Sequence, residues 1–240
     1  MEWRLETYAK AGSTSDICLS RAASGESEGL AVLALQQTKG RGSRGRSWLS
    51  PPGNLSLSVL LRPNASLLEA GEWPLRAGLA LSDALLSFLP DPASLTVKWP
   101  NDLLLRGRKL AGILIDTISG PDRRIAALVL GFGVNLAVAP EIEGRATASL
   151  AGEGLVPPAP ESFAPILLDR LASRCNEGFP SVRAAWLERA HPLGTRLKVI
   201  GGGLVLEGKF AGLDGAGHLL LETPAGVQAI SAGEVLLGTE

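Results

Sequence analysis

Cations and glycines alternate between Lys39 and Arg46, where four basic residues and three glycines occupy seven of eight positions. No acidic residue lies between Glu28 and Glu69, so nothing nearby in the sequence neutralises this charge. Glycine lets a backbone turn sharply and approach a ligand closely, and arginine presents a planar fork of donors suited to phosphate and carboxylate oxygens. The segment predicts a loop that closes over an anion, and a solvated basic turn is the plainer alternative.

Three other polar groups could contribute to the same site. Ser13-Thr14-Ser15 by itself is more typical of a helix N-cap than of a binding motif. Lys98-Trp99-Pro100-Asn101-Asp102 ends a predicted strand and turns at its proline, which leaves polar groups at a sheet edge. Lys109 begins the next strand across a hairpin. Asn135 interrupts an apolar strand, where a buried amide must find partners, so either a ligand contact or a structural hydrogen bond can explain it.

The spacing of Gly40, Gly42 and Gly45 also fits the G-x-G-x-x-G fingerprint of dinucleotide-binding folds. That fingerprint needs a strand before it and a helix that opens within it. The run 30–35 can supply the strand, but Ser50-Pro51-Pro52-Gly53-Asn54 follows almost at once and a second strand pattern then begins. A dinucleotide fold is therefore not predicted. A P-loop is excluded because the chain has no G-x-x-x-x-G-K-[ST].

Composition predicts a well-filled globular protein of one or two domains in 240 residues, of which 45% are hydrophobic. The formal net charge is -1, whereas dedicated nucleic-acid binders usually carry a basic excess. The two cysteines and two histidines show no metal-ligand spacing, which makes a zinc site or a disulfide framework improbable and fits a cytoplasmic protein. The N-terminus does not resemble a signal peptide, and no apolar run is long enough to span a bilayer.

Hydrophobic patterning predicts a mixture of strands and helices up to about residue 190. Apolar residues alternate over 54–62, which indicates a strand, and Pro74 begins a helical pattern that Pro90 stops. An amphipathic helix is predicted over 162–176 and a second helix over 182–190. Further strands are predicted over 3–9, 30–35, 94–99, 102–106, 110–118 and 125–136, the last broken by two glycines, and a short helix runs from Ser13 through Leu19.

The last fifty residues differ in texture, with short strands and turns and no helical pattern. Strands are predicted over 196–200, 204–213, 218–222 and 226–230 and near Val235, and Asp214-Gly215 is a hairpin-turn signal. Closely spaced strands of this kind favour a small, SH3-like barrel. The sequence therefore predicts a first domain of strands and helices over residues 1–190 and a barrel over 191–240.

Taken in order, the groups GST, QTKGRGSRGRSW, KWPND with KLAGI, and GFGVN resemble the catalytic domain of biotin protein ligases. The resemblance extends from residue 3 to about 240, and the ordered set is specific although each motif alone is weak. It implies an α+β fold with a mixed sheet, related to class II aminoacyl-tRNA synthetases, and an SH3-like C-terminal barrel. Because the first catalytic strand begins at Trp3, a short form without the N-terminal DNA-binding domain is expected.

The resemblance also implies an ATP-dependent, two-step reaction. The biotin carboxylate attacks the α-phosphate of ATP, with Mg²⁺ present, to give biotinyl-5′-AMP, and a lysine of a carboxylase carrier domain then takes the biotin. Lys109, Arg41 and Asp102 are the implied catalytic residues. The implied biotin contacts are Ser13, Thr14, Ser15, Gln37, Gly40, Arg41, Gly42, Ser43, Lys109 and Gly112, and the implied ATP or adenylate contacts are Arg44, Arg46, Trp48, Lys98, Asn101 and Asn135.

Two positions depart from the family's common pattern. Ser15 stands where asparagine is frequent, and Ser43 stands where arginine is frequent. Metal ligands, the acceptor protein and the choice between monomer and homodimer remain open, and neither DNA nor membrane binding is expected. Two other functions compete with this interpretation. A lipoate ligase shares the fold and the adenylating chemistry, and a nucleic-acid-binding module would use the arginine loop and the barrel, which offers only Phe210 for base stacking.

Overall fold

The computed structural model describes residues 1–238, and its larger sheet forms the framework of the molecule. The sheet order is β1-β2-β3-β7-β6-β5-β4, with β1 and β2 parallel and every other neighbouring pair antiparallel. The strands are β1 (Arg4–Tyr8), β2 (Leu30–Ala34), β3 (Leu55–Leu61), β4 (Leu95–Lys98), β5 (Asp102–Leu105), β6 (Arg108–Ser119) and β7 (Ile125–Val134).

Helices cover both faces of this sheet. Helix α1 (Thr14–Ala23) packs on one face, where Cys18 and Ala22 join a small apolar cluster. Helices α2 (Glu72–Leu86) and α3 (Pro160–Asn176) cover the other face and enclose the main core. Helix α4 (Phe179–Arg189) packs against α2 and leads into the C-terminal strands. Within residues 1–238 no helix is both long and apolar enough to cross a membrane.

The alternation in β3 separates the core from a polar surface. Leu55, Leu57 and Val59 lie in the main core, as the sequence pattern predicts. Ser56 and Ser58 point to the opposite face and are almost fully buried, at 2% and 1% exposure. Since successive side chains of a strand point to opposite faces, β3 contributes to the core and to a polar pocket at the same time.

Five C-terminal strands form a second, antiparallel sheet in the order β11-β10-β9-β8-β12. The strands predicted as a small barrel are present and form one sheet. Within residues 1–238 the two end strands of this sheet do not pair with each other, so it is not closed by hydrogen bonds between them. It rests on the larger unit through hydrogen bonds from Trp99 Nε1 to Gly217 O and from Lys98 Nζ to Val235 O. The strands are β8 (Arg196–Gly201), β9 (Leu204–Leu213), β10 (Leu219–Thr223), β11 (Gly226–Ile230) and β12 (Glu234–Leu237).

The predicted elements are all present, and their differences from the structure have local causes. Helix α1 extends four residues beyond the predicted Leu19, to Ala23, because Cys18 and Ala22 bury one side of it. Helix α4 begins at Phe179 rather than Val182, since Gly178 and Pro180 form its start. The prediction that glycines break the strand over 125–136 is wrong, because β7 is continuous through them.

Candidate active site

A cavity of about 380 Å³ opens on the α1 side of the larger sheet, beneath the segment 39–48, here called the basic loop. This volume lies in the range of small-molecule sites. Most of the predicted site residues line it: Thr14, Ser15, Gln37, Arg41, Gly42, Ser43, Arg46, Trp48, Asn101, Asp102, Lys109, Gly112 and Asn135.

Four predicted site residues do not line the cavity. Ser13 is the N-cap of α1, and its hydroxyl accepts a hydrogen bond from Asp16 N at 3.3 Å. Gly40 is needed by the loop itself, because a Cβ there would lie 2.3 Å from Trp48 O. Arg44 reaches the C-terminal sheet, and Lys98 lies behind Asp102.

Buried hydroxyl and amide groups form one end of the cavity. The hydroxyl of Ser58 lies 2.7 Å from that of Thr14 and 3.0 Å from that of Ser15. Gln37 Oε1 accepts from Thr14 N at 2.8 Å, and Gln37 Nε2 donates to Ser50 Oγ at 3.0 Å. Because each hydroxyl can both donate and accept, this end can bind a small ring that carries its own donors and acceptors.

Two lysines flank a buried carboxylate at the other end. Asp102 Oδ1 lies 2.5 Å from Lys109 Nζ, and Oδ2 lies 3.1 Å from Lys98 Nζ. Burial alone would raise the pKa of Asp102, but the ammonium groups of Lys109 and Lys98 outweigh it and hold that pKa below its usual value. Asp102 therefore stays ionised at neutral pH and fixes Lys109 at the cavity wall.

The sheet carries no side chains directly beneath the indole of Trp48, because two glycines lie there. Gly112 and Gly133 are register partners on β6 and β7, and a Cβ on Gly133 would lie 2.3 Å from Trp48 Cε2. Lys109 Nζ lies 5.8 Å from the centre of the same indole. The space above Gly112 is occupied by the Trp48 and Lys109 side chains, whose atoms would lie 3.2 Å from a Cβ there. At Gly131 the missing Cβ makes room for Ser15, whose Oγ would lie 2.6 Å from it.

The basic loop is a small hairpin with fixed geometry. Trp48 N donates to Gly40 O, and Gly42 N donates to Arg46 O. Arg44 has φ of +59° at its tip, a left-handed conformation that is uncommon for arginine. Three arginines then converge on one carboxylate of the C-terminal sheet, since Arg44, Arg46 and Arg145 all pair with Glu234 at 2.5–3.2 Å.

Releasing this carboxylate should loosen the basic loop. The arginines are a third or more exposed, so solvent weakens each pair to at most about 1 kcal/mol. Glu234→Gln is therefore expected to speed trypsin cleavage after Arg44 and Arg46 about fivefold. The matched control is Glu207→Gln, which removes an exposed carboxylate from the same sheet. Equal cleavage of both variants would contradict the role of Glu234.

Asn135 has a structural explanation within the site. It is 1% exposed, its Nδ2 donates to Ala148 O at 3.1 Å, and its Oδ1 faces Asn54 Nδ2 at 3.4 Å. It thereby ties the segment after β7 to the start of β3. That segment forms a cavity wall that the sequence did not indicate, with Pro140, Ile142, Arg145 and Thr147.

The profile of the Biotin/lipoate A/B protein ligase family matches residues 12–135, more than half of the chain. The profile of the biotin protein ligase C-terminal domain matches residues 193–238. The chain belongs to the Biotin/lipoate A/B protein ligase family. Among its relatives, the biotin–[acetyl-CoA-carboxylase] ligase of Paracoccus denitrificans is 42% identical over 216 residues, which are 86% of this chain and 90% of that protein.

Other ligases are also similar to this chain over most of its length. The bifunctional ligase/repressor of Bacillus subtilis is 31% identical over 88% of this chain, which corresponds to 67% of that longer protein. The structure of the Aquifex aeolicus biotin protein ligase in complex with biotin and ATP superposes with a TM-score of 0.83, at 29% identity and over 99% of both chains. The α+β fold and the biotin ligase relationship predicted from the motifs are confirmed.

Proposed function

We propose that this ligase activates biotin with ATP to biotinyl-5′-AMP and transfers the biotin to a lysine of a carboxylase carrier domain. The observation that supports this most directly is the cavity itself. One end offers hydrogen-bonding groups without net charge, and the other offers the Lys109 ammonium, which Asp102 holds in place. Biotin has the same division, since its ureido ring is neutral and polar and its carboxylate is anionic.

The hydroxyl-lined end is the proposed site for the ureido ring. The ring presents one carbonyl acceptor and N–H donors, and Thr14, Ser15 and Ser58 can supply matching partners. Ser15 makes its contact from a position where the family's common pattern has asparagine. The shorter side chain still reaches Ser58 because Gly131 leaves the space above β7 open.

Ser58 is the proposed ureido contact that the sequence motifs did not include, and it can be tested directly. Ser58→Ala removes the hydroxyl that joins Thr14 and Ser15, at a cost of about 1–2 kcal/mol for an unsatisfied buried partner. The KM for biotin is therefore expected to rise about tenfold, with the KM for ATP unchanged. Initial rates at varied biotin measure this, and Ser119→Ala, at the exposed end of β6, is the control. An unchanged biotin KM would remove Ser58 from the site.

Lys109 is the proposed cation at the reacting atoms. The attacking carboxylate must approach a phosphate, and two like charges about 4 Å apart repel by roughly 4 kcal/mol at an effective dielectric of 20. A fixed ammonium between them offsets this repulsion and stabilises the charge that develops on the phosphorus oxygens. A new bond forms between the carboxylate oxygen and the α-phosphorus, and pyrophosphate leaves. Asp102 holds Lys109, and Lys98 holds the other oxygen of Asp102.

Phosphate binding is proposed for the arginine cluster. Arg46 and Arg145 line the cavity and carry guanidinium groups that suit phosphate oxygens. Arg44 lies outside the lining. All three arginines pair with Glu234, so a bound phosphate must compete with that carboxylate for them. Trp48 covers the junction of the two ends, and Asn101 is held by the hydrogen bond from its Nδ2 to Ile113 O at 2.6 Å.

The site fits magnesium only as part of the nucleotide. Among residues 1–238 no group of three His, Cys, Asp or Glu side chains could hold a metal ion, and both oxygens of Asp102 are already paired with lysines. Mg²⁺ commonly binds through one or two carboxylates together with substrate phosphates. We therefore treat it as part of the MgATP substrate, in which it shields phosphate charge.

In the second step the acceptor amine attacks the acyl carbon of the mixed anhydride, the acyl–oxygen bond to AMP breaks, AMP leaves, and the proton that the amine loses passes to solvent. Asp102 is a poor base for this amine because its pKa is lowered. The proposed acceptor is the carrier domain of a biotin-dependent carboxylase, consistent with the name of the Paracoccus relative.

The same proposal includes four further points. The catalytic domain ends and the C-terminal domain begins near residue 190. The protein acts in the cytoplasm as a monomer or homodimer, and it does not bind DNA.

ATP–pyrophosphate exchange with biotin, with lipoate and without an acid tests the proposal. Exchange that depends on biotin is expected. Exchange that depends on lipoate would show that the protein is a lipoate ligase. A lack of exchange with either acid would contradict the ligase function. The nucleic-acid alternative is tested in the same preparation by single-strand binding, and it is not favoured at a net charge of -1.

A further inference from the structure

Arg41 is held by two carboxylates from different elements. Its Nη1 donates to Asp16 Oδ1 at 2.7 Å, in the first turn of α1, and its Nη2 donates to Asp116 Oδ1 at 2.9 Å, on β6. The Arg41 guanidinium lies at the cavity wall, whereas Asp116 is not among the lining residues. Asp116 therefore reaches the cavity only through Arg41.

Asp116 lies where an isolated carboxylate is unfavourable. Its Oδ2 has no accessible surface and, among the residues described, no hydrogen-bond partner. Its register partner on β7 is Val129, which belongs to the apolar cluster beneath α1. The side chain as a whole keeps 22% exposure, so it is the buried Oδ2 that makes this carboxylate depend on the single cation beside it. Asp116, on β6, thus fixes the position of the Arg41 guanidinium.

Fixing Arg41 also fixes the base of the basic loop. Arg41 lies between Gly40 and Gly42, whose backbone groups pair with Trp48 and Arg46. Trp48 in turn lies over Gly112 and Gly133 at the middle of the cavity. A displacement of Arg41 would therefore also move the indole of Trp48, which covers the junction between the two ends of the cavity. The remaining N–H groups of the guanidinium stay free to bind an anion.

We propose that Asp116, assisted by Asp16, is a positioning residue that acts through Arg41 to keep the basic loop closed over bound biotin and biotinyl-5′-AMP. The inference rests on the proposed function for the identity of the ligand. It assigns Asp116 to retention of the ligand and of the reactive adenylate, and not to the chemical step. Loss of the clamp should change binding and release far more than the rate of adenylate formation.

Asp116→Asn tests this because it keeps the shape and removes the charge. The expected result is an about tenfold faster release of biotinyl-5′-AMP and an about tenfold higher biotin KM, with kcat for pyrophosphate exchange within about twofold of wild type. In the ligand-free protein, trypsin should cleave faster after Arg44 and Arg46. Asp169→Asn, an exposed carboxylate on α3, is the matched control and should behave as wild type. An unchanged release rate in Asp116→Asn would overturn the proposal.

A double-mutant cycle separates this role from a merely structural one. If Asp116 acts through Arg41, adding Asp116→Asn to Arg41→Gln should cause no further rise in release. It should also raise the Tm above that of Arg41→Gln, because the double variant no longer buries an unpaired carboxylate. Additive effects on release would contradict the proposal.

Two further readouts keep the test decisive. If Asp116→Asn does not fold, Asp16→Asn should shift release and cleavage in the same direction by about two- to threefold, since Asp16 is half-exposed. No shift in that variant would count against the clamp. If wild-type protein shows no biotin-dependent exchange, the proposed function fails, while ligand-free cleavage in the same variants still decides whether the carboxylates hold the loop.

Discussion

Lys109→Ala is expected to lower biotin-dependent pyrophosphate exchange by a factor of at least about 1000 while the protein stays folded. Loss of a single fixed donor at developing charge costs enzymes about 100- to 1000-fold, and Lys109 carries a full charge at the proposed reacting atoms. The fold should survive because Asp102 keeps its second partner, Lys98. The backbone hydrogen bonds of residue 109 with Ala146 and Ala148 are also unaffected.

Isotope exchange between pyrophosphate and ATP at saturating biotin gives the rate, and thermal unfolding gives the stability. Lys39→Ala, which removes an exposed cation from the start of the basic loop, is the control and should retain exchange within about twofold. Lys109→Arg should recover only part of the rate, because a planar guanidinium does not fit the place of an ammonium. Exchange close to wild type in Lys109→Ala would remove Lys109 from the chemistry.

Much of the fold could be predicted from the sequence because its local signals agree. Alternation in β3, proline at both ends of the α2 pattern and the Arg106-Gly107 turn between β5 and β6 each indicate their element without long-range information. The order of strands in the sheet could not be predicted in this way. β3 pairs with β7 across more than sixty residues of chain, and no local pattern carries that pairing.

The site shows the same limit at the level of residues. The resemblance indicated Thr14, Gln37, Asp102 and Lys109 because these residues lie within the ordered motifs. Ser58 was missed because it is an ordinary residue in an alternating strand, and only the register that puts it beside Gly131 brings it to Ser15.

Glu234 and Asp116 could not be predicted as parts of the site for a related reason. Their roles arise from arginines almost 190 and 75 positions away in the chain, respectively. The sequence indicated that the basic loop attracts anions, but it contained no signal that protein carboxylates already meet those arginines. Alternation in β6 places Asp116 on the same face as Gly112, but it does not indicate that Arg41 lies beside that carboxylate.

The glycines of β7 leave space on the sheet for the Trp48 side chain of the basic loop. Gly133→Ala is therefore expected to lower kcat/KM for adenylate formation about 10- to 100-fold. The added Cβ would lie 2.3–2.6 Å from three atoms of the Trp48 indole, so the ring must lift away from the sheet. That movement also removes the contact of the ring with Lys109. The strand itself should tolerate alanine, since its backbone ladder on both sides is unchanged.

A second substitution decides whether the clash is the cause. In a Trp48→Ala background the indole is absent, so adding Gly133→Ala should change kcat/KM by less than about twofold. Steady-state kinetics of pyrophosphate exchange measure all four proteins, and tryptophan fluorescence should report greater solvent exposure in Gly133→Ala alone. If Gly133→Ala were equally harmful with and without Trp48, the defect would lie in the strand. Non-additivity would mean instead that β7 carries glycine at this position because Trp48 must lie flat against the sheet to close the cavity.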